Sequence, residues 1–146
     1  MTASIGVATY PDNGSCFDDL VKASEIALHR AQELGRDNFQ FYSEAIYKNL
    51  TARDQLFKAL SHAVALDQLQ LMYQPLVDLQ TGQISGMEAL LRWTHPELGA
   101  VSPAQFIPVA EESGLIKGIG EWVLRRACRD IRHWLDMGIK VPHVAV

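Results

Sequence analysis

Residues 69–93 read LQLMYQPLVDL, then QTGQ, then ISGMEALLRW. Both outer runs are apolar and alternate with the period of a strand, and Gln80-Thr81-Gly82-Gln83 carries a turn signature. The expected elements are a strand from Leu69 to Leu79, the turn, and a strand from Ile84 to Trp93. A link this short permits only an antiparallel pair, because a parallel crossover takes about a dozen residues or more. Period-two alternation then puts Glu88, Leu90 and Arg92 on one face of the second strand, and Ala89, Leu91 and Trp93 on the other. An acid and a base on a buried strand are expensive unless they are used. One reading is a structural ion pair near the strand end. The other is a carboxylate for a hard cation and an arginine for a phosphate. Gln74, beside Pro75 in a strand that otherwise buries Leu69, Leu71 and Tyr73, is either a cross-strand hydrogen-bonding partner or a third member of that site.

Toward the C-terminus, His95-Pro96-Glu97-Leu98-Gly99 reads as a loop. A histidine there is a possible ligand but is more simply exposed. Ser102-Pro103-Ala104-Gln105 opens a helix, with serine at the cap, proline at the first helical position and glutamine at the capping-box position. Ser113-Gly114 stops it. Glu111 and Glu112 oppose the helix dipole and read as surface charge, or as one residue facing a ligand or a second chain. A long helix follows from Ile116 to Met137. Its face is Ile119, Val123, Ala127, Ile131 and Leu135, bordered by Trp122 and Trp134 and capped by Gly138. The charges Arg125, Arg129, Asp130, Arg132 and Asp136 read as its solvated side. Val144-Ala145-Val146 begins another apolar strand. Strand, helices, strand is the alternation of a parallel α/β unit.

Toward the N-terminus, residues 43–67 read as a helix with Leu56, Leu60 and Val64 in register and Phe57 beside them. Ser4 to Tyr10 reads as a strand, and Pro11-Asp12-Asn13-Gly14 as a turn. The next helix is capped by Ser15 with Asp18 in the box position. It carries the stripe Leu20, Val21, Ala23, Ala27, Leu28 and Ala31, and ends at Gly35. Phe39 to Tyr42 is a short strand. A domain boundary is expected near residues 43–50, without a flexible linker. A strand at the first residues and another that stops mid-run lead to the expectation that the chain is a piece of a longer protein.

The chain has 146 residues, 48% of them hydrophobic, and a formal charge of −4. That composition suits a folded domain and gives no electrostatic case for a nucleic-acid partner. Cys16 and Cys128 cannot form a disulfide framework and match no zinc spacing, so both read as reduced cysteines with the usual tendency to burial. The first residues lack the charge and the apolar run of a signal peptide, and no stretch is long enough to span a bilayer. The expected location is therefore cytoplasmic, with room for a membrane anchor upstream. No Ser/His/Asp triad, P-loop or zinc cluster is legible. Read from the residues alone, this is an α/β chain with a possible anion or metal site.

Tyr73-Gln74-Pro75, Glu88 to Trp93, His95-Pro96, Ser102 to Ile116 and Ile119 to Leu124 together resemble the EAL family in order and spacing, over about residues 55–146. The resemblance implies a modified TIM barrel whose first strand is antiparallel to the rest, incomplete here. It implies hydrolysis of cyclic di-GMP to the linear dinucleotide pGpG with two Mg²⁺ or Mn²⁺ ions. By position it makes Glu88 a metal ligand, has Gln74, Leu91 and Arg92 line the nucleotide with Arg92 on phosphate, and puts Pro108 in a Phe-x-Pro turn bordering the ligand. The family's other metal ligands and catalytic lysine would lie beyond Val146, so the isolated chain is expected to be inactive.

Ala3 to Ala8, Tyr10-Pro11 and Glu25 to Asp37 resemble the end of a GGDEF domain, of ferredoxin or cyclase-like fold. Gln32 stands where that family usually has lysine, and His29 where it usually has tyrosine. With Arg36 still at a phosphate-contacting position, the change to Gln32 removes one cation and argues against cyclase activity. The expected organisation is a GGDEF remnant over 1–43, a helical linker over 44–54 and the N-terminal part of an EAL domain over 55–146. A homodimer through the EAL part and an upstream sensor domain are the expected partners beside the nucleotide. The alternative to a phosphodiesterase fragment is a degenerate receptor that binds cyclic di-GMP or docks a protein.

Overall fold

The computed structural model describes residues 2–141 and 143–146; Met1, where the leader reading began, and Pro142 lie outside them. The chain divides into two compact units, one up to Asp54 and one from Gln55 to Val146.

Unit 1 is built on a parallel pair, β1 (Ile5–Val7) and β2 (Phe39–Phe41), joined through helix α1 (Phe17–Glu33). Ala23, Ala27 and Ala31 form the buried stripe of α1. Small residues there let the helix lie close to the strands, and Gly6 carries the closest approach: a Cβ on it would fall 2.0 Å from the Ser24 carbonyl oxygen. The cap differs from expectation. Cys16, not Ser15, is the N-cap, and it makes no side-chain cap bond to the helix N–H groups. Asp19 instead takes hydrogen bonds from the Cys16 thiol and from nearby main chain, which hold its carboxyl below the usual range. The frame thus shifts by one residue, because a carboxylate at the third helical position reaches the N-cap. The C-terminal end matches expectation. Gly35 has φ +100°, its N–H reaches the Gln32 carbonyl and that of Arg36 reaches Ala31, the two bonds of a Schellman motif.

Helix α2 (Glu44–Ala63) carries the chain through the division between the units. Its first part packs on α1, where Glu33 faces Arg30 at 3.0 Å and Arg53 at 3.3 Å. Leu60 and Ala63, in its last turns, belong to the core of unit 2, whereas Phe57 and Val64 are exposed.

Unit 2 starts with the expected antiparallel pair, β3 (Leu69–Val77) and β4 (Ile84–His95). β3 stops two residues short of Leu79, because Asp78 turns the chain. One of its carboxylate oxygens accepts from Gln80 N–H, Thr81 N–H and Thr81 Oγ1 at 2.8–3.0 Å. The Thr81 contacts, then Gln80, hold the Asp78 carboxyl below its ordinary value of 3.8. A depressed pKa means that the turn is favoured while Asp78 is ionised and loses that support as pH falls through the lowered value. In an NMR titration the Thr81 and Gln80 amide shifts are expected to move together with a midpoint below 3.8. A midpoint at or above 3.8 would contradict the turn as described.

The segment read as a loop after Trp93 is a hairpin. β4 continues to His95 and pairs with β5 (Gly99–Val101) through Trp93↔Val101. The His95 Nδ1 accepts from the N–H groups of Glu97 and Leu98, and Gly99 turns back at φ +69°. His95 is thus a turn residue whose Nδ1 is occupied.

Helix α3 (Pro103–Glu112) begins as expected, with the Ser102 N–H donating to Gln105 Oε1 at 3.3 Å in a capping box. Helix α4 (Ile116–Asp136) follows, and β6 (Val144–Ala145) returns parallel to β4 through Met87↔Val144 and Glu88↔Ala145. Trp93, Phe106, Leu60, Leu69, Val109 and Ile119 form the core, with the Trp93 and Phe106 rings edge to face at 5.6 Å. Burial of a side chain such as Phe106 contributes about 1.5–3 kcal/mol. Both cysteines are free and exposed, against the burial expected of them, because Phe17 follows Cys16 at an exposed helix start and Cys128 sits on the outer side of α4.

Candidate functional site

The β3–β4 ladder sorts side chains into two faces. Leu69, Leu71 and Tyr73 lie opposite Trp93, Leu91 and Ala89 on the face that packs against the helices. Gln70, Met72 and Gln74 lie opposite Arg92, Leu90 and Glu88 on the other. That second face is open: Met72 is 54% exposed, Gln70, Gln74 and Glu88 are exposed, and Arg92 is half-buried. It presents a polar row of Gln74 and Glu88, an apolar row of Met72 and Leu90, and a polar row of Gln70 and Arg92.

Glu88 and Arg92 do not form the structural ion pair that the sequence allowed. Four strand steps separate their Cα atoms by about 13 Å, and among the described residues neither has an ion-pair partner. Nor is Glu88 buried, as the expectation had it: no strand or helix among the described residues covers this face. The Arg92 Nη1 donates to the Leu91 carbonyl oxygen at 2.9 Å, which fixes the guanidinium near the strand and leaves its remaining donors for another acceptor. Gln74 is the cross-strand neighbour of Glu88, at about 5 Å between Cα atoms.

Leu91 lies on the opposite face from Glu88 and Arg92. Its side chain packs on the core and lines an apolar groove with Ile107, Ile119 and Val123. Leu90 is the leucine that shares the open face, a placement that the alternation already implied. Pro108 is exposed and sits inside α3, not in a turn. Proline in the second helical turn forfeits only the bond to the Ala104 carbonyl, so the helix runs on to Glu112. The structure therefore gathers Gln74, Glu88 and Arg92 on one face and adds Gln70 and Leu90; Leu91 lies on the other face but lines a groove that Leu90 and Arg92 also border, and Pro108 sits in α3.

A Mg²⁺ or Mn²⁺ ion takes about six oxygen ligands. Glu88 supplies one carboxylate and Gln74 one amide oxygen. No cluster of three or more His, Cys, Asp or Glu side chains exists among the described residues. These residues do not complete a site for one such ion, still less for two.

Behind the site, Tyr73 reaches α4. Its hydroxyl donates to Asp130 Oδ2 at 2.8 Å, and the Arg126 Nε donates to both Asp130 oxygens at 3.0 and 3.2 Å. The Tyr73 and Trp134 rings meet at 4.7 Å, nearly perpendicular. Asp130 is therefore half-buried and tied across 57 residues of chain, not part of a solvated face. Arg125 and Arg132 do stay on that face, paired with Glu121 and Asp136. Burial, then the Asp130 carboxylate, hold the Tyr73 hydroxyl well above the ordinary phenol range, so it remains a proton donor. The sequence carried one sign of this link: Tyr73 on the buried face of its strand needs a partner for its hydroxyl.

In unit 1, Arg36 sits at positive φ just past α1, Gln32 is exposed, and His29 lies 3.6 Å from Glu33. No helix among the described residues is long and apolar enough to cross a membrane.

The EAL domain family model matches residues 58–146. The whole chain is 44% identical to a cyclic di-GMP phosphodiesterase, NbdA, of Pseudomonas aeruginosa, of which it covers 19%. It is 42% identical to MucR of the same organism, a bifunctional diguanylate cyclase/cyclic di-GMP phosphodiesterase, of which it covers 21%. The chain thus spans about a fifth of the length of these curated relatives. Among solved structures, the MucR phosphodiesterase in complex with cyclic di-GMP superimposes with a TM-score of 0.55 at 54% identity, covering 57% of this chain and 34% of the other. The EAL domain of Xanthomonas citri FimX, also in complex with cyclic di-GMP, gives 0.58 at 28% identity over 68% of this chain and 39% of the other.

Proposed function

The chain belongs to the EAL domain family, and from that premise we propose that it is part of a cyclic di-GMP phosphodiesterase, with the open face of β3 and β4 as its share of the nucleotide site. One observation carries the reading. The ladder sets Gln74 opposite Glu88 and Gln70 opposite Arg92 on a single uncovered face, although neither charge has a structural partner there. Arg92 then meets a phosphate, since its planar fork suits two oxygens. Gln74, and Gln70 beside Arg92, supply hydrogen-bonding amides, and Met72 with Leu90 an apolar floor between them. Glu88 contributes one oxygen ligand to a divalent cation whose other ligands come from outside these residues. Unit 1 is read as the end of a GGDEF domain, which the match of the whole chain to a bifunctional relative supports. A homodimer through the EAL part, an upstream sensor unit and a cytoplasmic site of action belong to the same reading.

For this chain by itself, the incomplete donor set favours binding without turnover. Calorimetric titration with cyclic di-GMP in Mg²⁺ is expected to give weak binding and no pGpG. Arg92→Ala is expected to weaken that binding by about 1.5–3 kcal/mol, the range for a lost charged hydrogen bond. Unchanged affinity in Arg92→Ala would end the phosphate assignment.

A further inference from the structure

We propose that Tyr73 and Asp130 are positioning residues, which tie β3 to α4 and so hold Gln74 in register with Glu88. The inference rests on the reading of Gln74 and Glu88 as site residues, but its test does not.

β3 needs such an anchor. Among the described residues it pairs only with β4, so one of its edges is free. The pairing becomes irregular between Leu76 and Val77, two residues beyond Gln74. The firm packing of β3 is at its other end, where Leu69 enters the core. A slip of one residue would exchange the faces, sending Gln74 toward the helices and Tyr73 to the open side. The ladder alone resists that weakly at this end. The Tyr73 hydroxyl cannot slide with it, because its acceptor is fixed and its ring is walled in. Arg126 grips both oxygens of Asp130, Asp130 is part of α4, and Trp134, one turn further along that helix, walls in the Tyr73 ring at 4.7 Å. A charged acceptor makes this bond stronger than a neutral one. Tyr73 is also the immediate neighbour of Gln74, so the anchor acts where the register matters to the site.

Amide exchange reads this directly. The Met87 N–H donates to the His143 carbonyl on the β6 side, and the Thr94 N–H to Gln68 on the β3 side. Alternation therefore turns the main-chain groups of Glu88 and Leu90 toward β3, where they bond Gln74 and Met72. In Tyr73→Phe, which keeps the ring against Trp134, the Gln74 and Met72 amides are expected to exchange about tenfold faster. Val123 and Ala127, in the core of α4, are expected to keep their rates. Asp130→Asn keeps one acceptor oxygen but loses the charge and the two-oxygen grip of Arg126, and is expected to fall between wild type and Tyr73→Phe. Asp130→Ala leaves β3 untouched and is expected to reproduce Tyr73→Phe, and it supplies the same readout should Tyr73→Phe fail to fold. Unchanged exchange at Gln74 and Met72 would overturn the proposal. So would equal acceleration in the α4 core, which would mean an ordinary loss of global stability. No nucleotide is present in this experiment, so failure of the chain to bind cyclic di-GMP bears only on the functional reading.

Discussion

Replacing Glu88 with alanine is expected to abolish turnover in a protein containing the whole domain, and to leave the melting temperature of unit 2 in the present chain unchanged. The stability half follows from what Glu88 touches. It is exposed and has no ion-pair partner among the described residues, and substitutions at such positions usually fall within about 0.5 kcal/mol. The activity half follows from the proposed assignment of Glu88 to the divalent cation. A structural pair with Arg92 would behave differently, since removing either partner would lower the melting temperature by a similar amount. Measuring turnover and thermal melts of Glu88→Ala, Arg92→Ala and the double variant separates the two. Full activity in Glu88→Ala would remove Glu88 from the site.

The second large effect is expected far from the chemistry. Gly6→Ala should cost unit 1 its cooperative fold. The added Cβ would meet the Ser24 carbonyl at 2.0 Å and the Leu28 nitrogen at 2.3 Å, both main-chain atoms of α1. No rotamer relieves a clash with a helix backbone, so β1 must lift off. Overpacking costs about 1–3 kcal/mol and occasionally more. A unit this small has little to lose. All three tryptophans of the chain, Trp93, Trp122 and Trp134, lie in unit 2. The expected result is therefore a far-ultraviolet circular dichroism spectrum with less helix, beside an unchanged tryptophan-fluorescence melt. A wild-type circular dichroism melt in Gly6→Ala would show that the strand and helix separate at little cost. By contrast, the three atoms nearest a Cβ on Gly86 all belong to the His143 ring, a side chain that can swing away, so a methyl there should be tolerated.

The errors of the sequence reading share a cause. Ser15 looked like the cap because cap residues are recognised by type, whereas Asp19 reached the N-cap from inside the helix. The His95–Gly99 segment looked like a loop because β5 is only three residues long, too short to show alternation. The resemblance places Pro108 in a turn, whereas the helix read from Ser102 to Ser113 already contains it, and proline is tolerated that near a helix start.

What the sequence determined by itself is local or periodic. The antiparallel β3–β4 pair follows from two alternating runs and a four-residue turn. The C-terminal end of α1 and both ends of α3 follow from glycine and serine chemistry that acts within a few residues. The sharing of one face by Glu88 and Arg92 follows from a period of two. What only the tertiary structure decided is which groups distant in sequence meet. It set Gln74 opposite Glu88 and Gln70 opposite Arg92, because pairing register depends on where a turn begins, and Asp78 moved that point. It brought Tyr73 to Asp130, a bond between residues 57 apart, and so took an acid from what read as a solvated helix face and made it an anchor. Such contacts depend on how α4 lies on the sheet, and that is settled by the packing of Trp93, Phe106 and Ile119 in the core, which no local pattern in the chain encodes.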